Sequence, residues 1–447
     1  MNLGKFSKKR KKAGTVLILA ITFTAIITII AFGITQLVVT EYKLAIRQYH
    51  KKLSFEIAEA GINYYRWHLY HNPQDYQDGA SPPEENSGED GFFGPFVHDF
   101  NDPQGGKLGE FSLKIKPPDI GSSAVIVHST GYTSTYPNIQ TTLEAQFGLR
   151  SLTDYSFLLN GNLTVFSSTS ETWGKIHSNG KIRFDGICHS KVTSAKTNGI
   201  TGTGGPQDLW EYPVPVIDFA LITRDLAYLK EEANAEGGFY RDDSGKYGYH
   251  IIFKAGGTFD LYRVDSVKKP WQAGGQDEIW KESLLGNYAL PSKGIIFIED
   301  DVWVEGVMAG RVTVAAARFP EVPSQYADIR IDDNLTYLAR DGTCALGLIG
   351  QEDVKIIYSV PSEMKIDGMM LAQYGAVYRD NYFDQLDSLT VFGGIISNKQ
   401  SGFKYLFSGE TYGFYNTYYI FDSTLVFAPP PYFPTYGEYT MIYWKEL

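Results

Sequence analysis

Lys8-Lys9-Arg10-Lys11-Lys12-Ala13-Gly14-Thr15 marks an abrupt change in chemistry: six basic residues fall within the first 12 positions, and across residues 13–40 no side chain is charged. An uncharged run of 28 residues exceeds the ~20 that a helix needs to cross a bilayer. The excess of Lys and Arg ahead of it predicts an N-terminus on the cytoplasmic side, with everything after Thr40 outside. Apolar spacing then continues past the membrane boundary. Tyr42, Ala45, Tyr49, Leu53, Ile57, Ala60, Tyr64 and Trp67 recur every three or four residues, while Lys43, Arg47, Lys51, Lys52, Glu56 and Glu59 fall between them, which predicts one striped helix. A continuous helix over residues 15–69 would be about 80 Å long. Its first half needs lipid; its second half offers a stripe either to a domain of its own chain or to neighbouring copies.

A short basic leader ending in Gly14, an uncharged run starting at once and the emerging segment Phe55-Glu56-Ile57-Ala58-Glu59-Ala60-Gly61 together resemble a type IV pilin-like precursor, specifically the PilX-type minor pilins and secretion pseudopilins. The resemblance covers the first ~70 residues. It implies that a prepilin peptidase cuts between Gly14 and Thr15, and that the helix then leaves the membrane to join other pilin subunits in a filament. In most pilins the fifth mature residue is Glu; here it is Leu19, so the charge pair with a neighbouring subunit's N-terminus, with its desolvation cost and its registration role, is absent. Within the family, that absence implies a rare or tip subunit. Thr15 departs from the usual first mature residue. The competing reading of the same residues is an uncleaved single-pass anchor.

The 447 residues leave room for a large core and two or three domains. Aromatics make up 15% and charged residues 20%, a balance that suits a β-rich exterior. Net charge is −11, near −17 without the six basic residues of the leader, which argues against nucleic acid as a partner. Cys188 and Cys344 are the two cysteines, and spacing alone does not say whether they pair.

After the leader (1–14) and stalk helix (15–72), residues 73–150 read as an exposed loop followed by a small antiparallel sheet. Pro73 predicts the helix end. The loop over 74–106 is rich in turn formers, including Ser81-Pro82-Pro83-Glu84-Glu85-Asn86. Alternation at Phe111, Leu113 and Ile115, then at 124–127 and 139–147, predicts three strands on which the helical stripe packs.

From residue 151 to 447 a weak repeat appears. Met364-Lys365-Ile366-Asp367-Gly368-Met369-Met370 and Leu389-Thr390-Val391-Phe392-Gly393-Gly394-Ile395 lie 25 residues apart in one frame, and Ile182 to Cys188 and Val302 to Met308 fit the same pattern. Short alternating strands ending at a glycine corner predict a parallel β-solenoid, with Cys188 in the slot of Met308 and Met370 and so a core residue. Residues 204–290 read as an insertion with a helix over 217–235 and a hairpin around Gly256-Gly257. The phrase Gly174-Lys175-Ile176-His177-Ser178-Asn179-Gly180 and the ending from Pro429-Pro430-Pro431 are similar to large bacterial proteins that join a PilX-type N-terminus to a repetitive β domain.

Chemistry-bearing motifs are scarce. The chain has no Cys-x-x-Cys, His-Glu-x-x-His, phosphate loop or Gly-x-Ser-x-Gly. His68 and His71 stand three apart as a possible metal pair; the more ordinary reading is surface or interface groups. His177 beside Ser178 and Asn179 reads as a solenoid turn before it reads as a catalytic group. Asp300-Asp301 and Asp332-Asp333 offer the hard oxygens that Ca²⁺ takes, without the ligand spacing of a calcium loop. The aromatic runs over 405–419 and 432–443 suit either sugar stacking or cross-strand core pairs.

The expectation is therefore an α+β chain: a long transmembrane and amphipathic helix, a small antiparallel sheet and a parallel β-solenoid. Its function reads as structural, not enzymatic, with no cofactor and no bound metal. Gly14 and Thr15 are the processing residues, and Leu19, Tyr42, Tyr49, Leu53, Ile57, Tyr64 and Trp67 the assembly residues. Partners are the membrane, other pilin subunits, a prepilin peptidase and a surface or glycan ligand. A static surface anchor and a glycan-processing β-helix are the alternatives.

Overall fold

A computed structural model describes residues 13–81, 88, 90–119, 122–165, 167–220 and 225–447. The basic leader over 1–12 and the loop stretch Pro82-Pro83-Glu84-Glu85-Asn86 lie outside the described residues. The chain divides into two compact units. One holds the described residues up to Lys116 with Val127–Ala145 and Tyr443–Leu447; the other holds Pro117–Ile126 and Gln146–Ile442.

Helix α1 runs Ala13–His71 over 59 residues, about 88 Å at 1.5 Å per residue. Aliphatic and alanine residues dominate its first half, and the threonines there disarm their own hydroxyls. Thr24, Thr28, Thr35 and Thr40 each donate to the carbonyl four residues back, at 2.7–2.8 Å, so these hydroxyls need no external partner. Asn72 donates its N–H to His68 O at 2.8 Å, and Pro73 forbids a further turn.

The sheet beside it has strand order β1 (Phe93–Asn101), β2 (Lys107–Lys116), β3 (Ala124–Thr133), β4 (Gln140–Ser151) and the C-terminal strand Thr435–Glu446. Two of these strands correct the expected three. Phe93–Asn101 falls inside the stretch over 74–106 that reads as loop from its turn formers, yet it is a strand at the sheet edge, where the missing N–H of Pro95 is tolerated. Thr435–Glu446 arrives from the far end of the sequence, beyond the reach of any local pattern.

Within the first unit the helix buries Ser54, Ile57, Ala58, Ile62, Tyr65 and Leu69. This stripe lies beside the one expected. Its position follows from small residues: a methyl on Gly61 would collide with Ser129 and Phe111, and one on Gly131 with the backbone at Ser54 and Ala58. Backbone and helix meet where side chains are shortest. Ser54 Oγ and Thr141 Oγ1 are 2.8 Å apart, and His50 Nδ1 lies 3.0 Å from Thr133 Oγ1. Loop and termini are fastened by polar pairs. His68 Nε2 meets Asp75 at 3.0 Å, and Tyr64 donates to Asp78 at 3.1 Å. Glu144 accepts from Lys445 and Tyr443, each at 2.9 Å, and meets His128 at 2.8 Å; these partners, Lys445 foremost, hold its carboxyl down at about 2.

The second unit is a parallel β-solenoid. One column of residues in parallel register reads Phe239, Ile296, Val314, Leu348, Met370, Ile395, Phe157, Ile176, Val192 and Trp210. The inner eight are buried and the two ends are half-buried, as expected when each coil supplies its neighbours' packing. Sequence order and stacking order differ. Tyr155–Leu159 pairs with both Gln385–Ser397 and Lys175–Ser178, so the chain enters in mid-stack and builds to the Trp210 end. It then resumes at Phe239, nine strand steps away, on the order of 40 Å at ~4.8 Å per step. Between these ends Asn179 grips Ile217 by both backbone groups, at 2.7 and 3.0 Å, and helix α2 (Leu226–Asn234) buries Leu226 and Leu229.

Three expectations change. The Met364 and Leu389 frames pair residue for residue, with Gly368 on Gly393 at φ 147° and 140°. Val302 instead pairs with Ile329, and Cys188 with Thr172 in the column of Tyr419, Val391 and Ile366. A strand ending at a glycine corner occurs on several faces of a coil, so the motif alone does not say which. Cys188 is nonetheless buried, and both cysteines are free thiols.

Second, the insertion is smaller than 204–290. Phe239–Arg241 and Tyr249–Lys254 are themselves coil strands, and the antiparallel flap is Thr258–Val267 with Ile279–Ala289, the hairpin turning at Gly256-Gly257. Third, of the helix expected over 217–235, residues 221–224 lie outside the described residues, and the described helix is Leu226–Asn234, capped by Asp225, which accepts from Tyr228 N at 3.1 Å.

The displaced stripe gives a direct comparison. Ile57→Ala should destabilise the first unit by about 2–4 kcal/mol, and Trp67→Ala, at a site 58% exposed, should change it by less than about 0.5 kcal/mol. Denaturant unfolding of the full chain in detergent measures both.

Candidate interaction surface

Across residues 16–39 every side chain of α1 is exposed, and Leu, Ile, Val, Phe, Ala, Thr, Gly and one Gln occupy all sides of the helix. A helix that packs on one partner keeps a polar face, whereas one that is apolar all round is meant to be surrounded. Its 24 residues measure about 36 Å, enough for the ~30 Å hydrocarbon layer. This is one helix long and apolar enough to cross a membrane. Leu19 sits in this zone at 55% exposure. Gly14 and Thr15 lie within the same continuous helix.

Beyond Thr40 the assembly residues divide. Ile57 is in the core, Leu53 and Tyr64 are half-buried at its margin, and Tyr42, Tyr49 and Trp67 are exposed. The division follows from 100° per residue: Tyr42, Tyr49 and Trp67 fall within about 20° of one another, and Ile57 lies about 60–80° away. Three- and four-residue spacing therefore drew one broad stripe where the molecule has a buried strip and a free aromatic ridge. Tyr64 belongs to the margin in its chemistry too. Burial, and then Asp78, push its hydroxyl up to about 12.

The remaining candidates have structural partners. His68 is buried, whereas His71 is exposed with Nδ1 2.9 Å from Trp67 O, so the two do not converge on an ion. His177 Nδ1 meets Thr193 at 2.9 Å and Nε2 meets Asn179 at 3.1 Å. Burial holds that imidazole below its usual value. Ser178 donates to Gly161 O at 2.6 Å, which leaves it aimed at backbone and away from the histidine.

Asp300 and Asp301 face guanidinium groups. Arg318 pairs with both, and Arg330 reaches Asp301 at 2.6 Å. Burial would raise the Asp301 carboxyl, but Arg330 and Arg318 outweigh it and leave the group lowered. Of the aromatic runs, Phe414 and Tyr419 are core, and Phe407 and Tyr415 are exposed. One cluster escaped the sequence reading: His250 beneath the flap meets Glu282, Glu305 and Asp332. Its members come from separate coils and from the flap, so no local spacing could signal it.

No protein-family model matches the chain, and no curated protein matches it. Among solved structures it is similar to the competence-associated pilin ComZ from Thermus thermophilus, at 14% identity over 89% of this chain and 97% of that one, with a TM-score of 0.30.

Arginine at both Ile26 and Ile30 should raise the insertion cost by roughly 6–8 kcal/mol. In membrane fractionation the double variant should leave the pellet, whereas Tyr42→Ala should remain there; in detergent, both should unfold at the wild-type midpoint.

Proposed function

We propose that this chain is a type IV pilin-like, membrane-anchored structural protein that displays a large β-solenoid outside the cell. The observation that carries the proposal is a continuous helix whose first half is bare and apolar on all sides, directly behind Gly14, and whose second half packs on an antiparallel sheet. A permanently buried core helix would not leave residues 16–39 uncovered. A simple anchor would not need to continue as the same rigid element into a globular unit.

In this reading the six basic residues of the leader keep the N-terminus cytoplasmic. A prepilin peptidase cuts between Gly14 and Thr15, and the released helix exchanges lipid for the helices of sister subunits. Residues 16–39 make the close helix contacts, and the ridge of Tyr42, Tyr49 and Trp67 meets a neighbouring subunit outside the membrane. Leu19 supplies no carboxylate for a neighbour's amine, which suits a minor or tip position over the repeating body of a filament. The solenoid then serves assembly, tip or adhesion work, with a surface or glycan ligand, and no catalysis. Support for a structural role comes from His177, whose two nitrogens are both engaged within the coil.

A second reading, a permanent single-pass surface anchor, is favoured by one observation: the helix runs unbroken through Gly14 and Thr15 from Ala13. Mass spectrometry of the N-terminus of chains sheared from the cell surface separates the two. A mature chain beginning at Thr15 is expected; an intact leader on every surface chain would make the protein a static anchor.

A further inference from the structure

We propose that His250, Glu305 and Asp332 form a binding site for a divalent first-row transition-metal ion of the zinc or manganese type. His250 lies on strand Tyr249–Lys254, Glu305 on Val302–Met308 and Asp332 on Ile329–Tyr337, three strands that follow one another through the stack by parallel pairing. Their ligand atoms lie within 4.8 Å of one another.

The imidazole defines the site. His250 is 4% exposed, and its Nδ1 lies 2.8 Å from Glu282 Oε2 on the flap. A carboxylate only accepts, so the proton of the neutral ring is assigned to Nδ1 and Nε2 keeps its lone pair. That Nε2 is buried with no hydrogen-bond partner. It faces Glu305 Oε1 at 3.8 Å and Asp332 Oδ2 at 3.9 Å, too far for hydrogen bonds and slightly wider than adjacent ligands around an ion bound at about 2.0–2.2 Å. Small rotations of the two carboxylates, which are 22% and 24% exposed, close that gap and leave a path for the ion.

Register and alternation set the three on one face: His250 pairs with Trp303 and Trp303 with Arg330, and Glu305 and Asp332 each stand two residues farther along. Val304 pairs with Ile331, but Gly306 pairs with Leu335. One residue, Glu305, thus faces three, Asp332 to Asn334, in a bulge that begins directly after the Val304–Ile331 pair. Bulges of this kind are over-represented beside functional sites. Glu282 supplies the carboxylate that commonly fixes the ring of a metal-bound histidine. One imidazole and two carboxylates without a thiolate suit zinc or manganese; the nitrogen disfavours calcium and magnesium, and the lack of sulfur disfavours copper(I). Water fills the remaining positions. The bound ion would staple three coils together and, through Glu282, hold down the flap.

The test uses the untagged full-length chain in detergent, stripped with a chelator and titrated with Zn²⁺ by calorimetry. One ion per chain should bind, and the thermal midpoint should rise by several degrees. Glu305→Gln and Asp332→Asn should each weaken binding at least tenfold, and Asp333→Asn, next to the site, should not. Equal concentrations of Ca²⁺ or Mg²⁺ should not compete. Absence of saturable binding by Zn²⁺ and Mn²⁺, or binding unchanged in both variants, would overturn the site. Should the variants unfold, X-ray absorption at the zinc edge of the wild type decides: the scattering signature of one imidazole is expected, and a shell without it overturns the assignment.

Discussion

An apolar helix surface with nothing on it is the constraint around which this molecule is built. Across residues 16–39 the exposed aliphatic and aromatic side chains leave no polar face, and water is a poor solvent for all of them. The helix interior is already in order: its backbone is paired and five of its described threonine hydroxyls bond to the preceding turn. Only the outer surface lacks a partner. In the proposed function lipid is one cover and parallel sister helices are another, and because both are apolar the helix would pass from one to the other without any group losing a hydrogen bond.

The same element changes solvent along its length. After Glu41 its sides become unequal, and by Ser54 one of them is pressed against strands whose glycines let the backbones approach closely. Ser54, Ala58 and Gly61 form that contact as much as Ile57 and Leu69 do. The solenoid solves a different problem: each coil is too thin to bury anything alone, so eight apolar residues stack in a column with two half-buried ones at its ends. Entry in mid-stack has a physical consequence. The first coil made during synthesis has only one of its two neighbours until residues 385–397 are complete, so closure of the core waits for the C-terminal part of the chain.

Much of this was legible in the residues. The uncharged run announced the spanning half, and the 25-residue step from Met364 to Leu389 gave the register of two adjacent coils. What was not legible has identifiable causes. Apolarity weighting placed the buried stripe on Tyr42, Tyr49 and Trp67, whereas close packing selects short side chains, which carry little hydrophobic signal. The glycine-corner frame misplaced Val302 and Ile182 because a coil turns several corners of the same kind. Stacking order leaves no trace in a local pattern, so neither mid-stack entry nor the return of Thr435–Glu446 to the first sheet could be foreseen. For the same reason His250 went unnoticed, and of its partners only Asp332 was singled out, with Asp333 beside it.

The most direct measurement of the central claim is site-specific photo-cross-linking from position 26, at the middle of the bare helix, in the living cell that makes the protein. The account predicts adducts to lipid in the membrane fraction and to other helix-bearing subunits in sheared surface material. Recovery of the intact chain from the soluble fraction, with neither adduct formed, would contradict it.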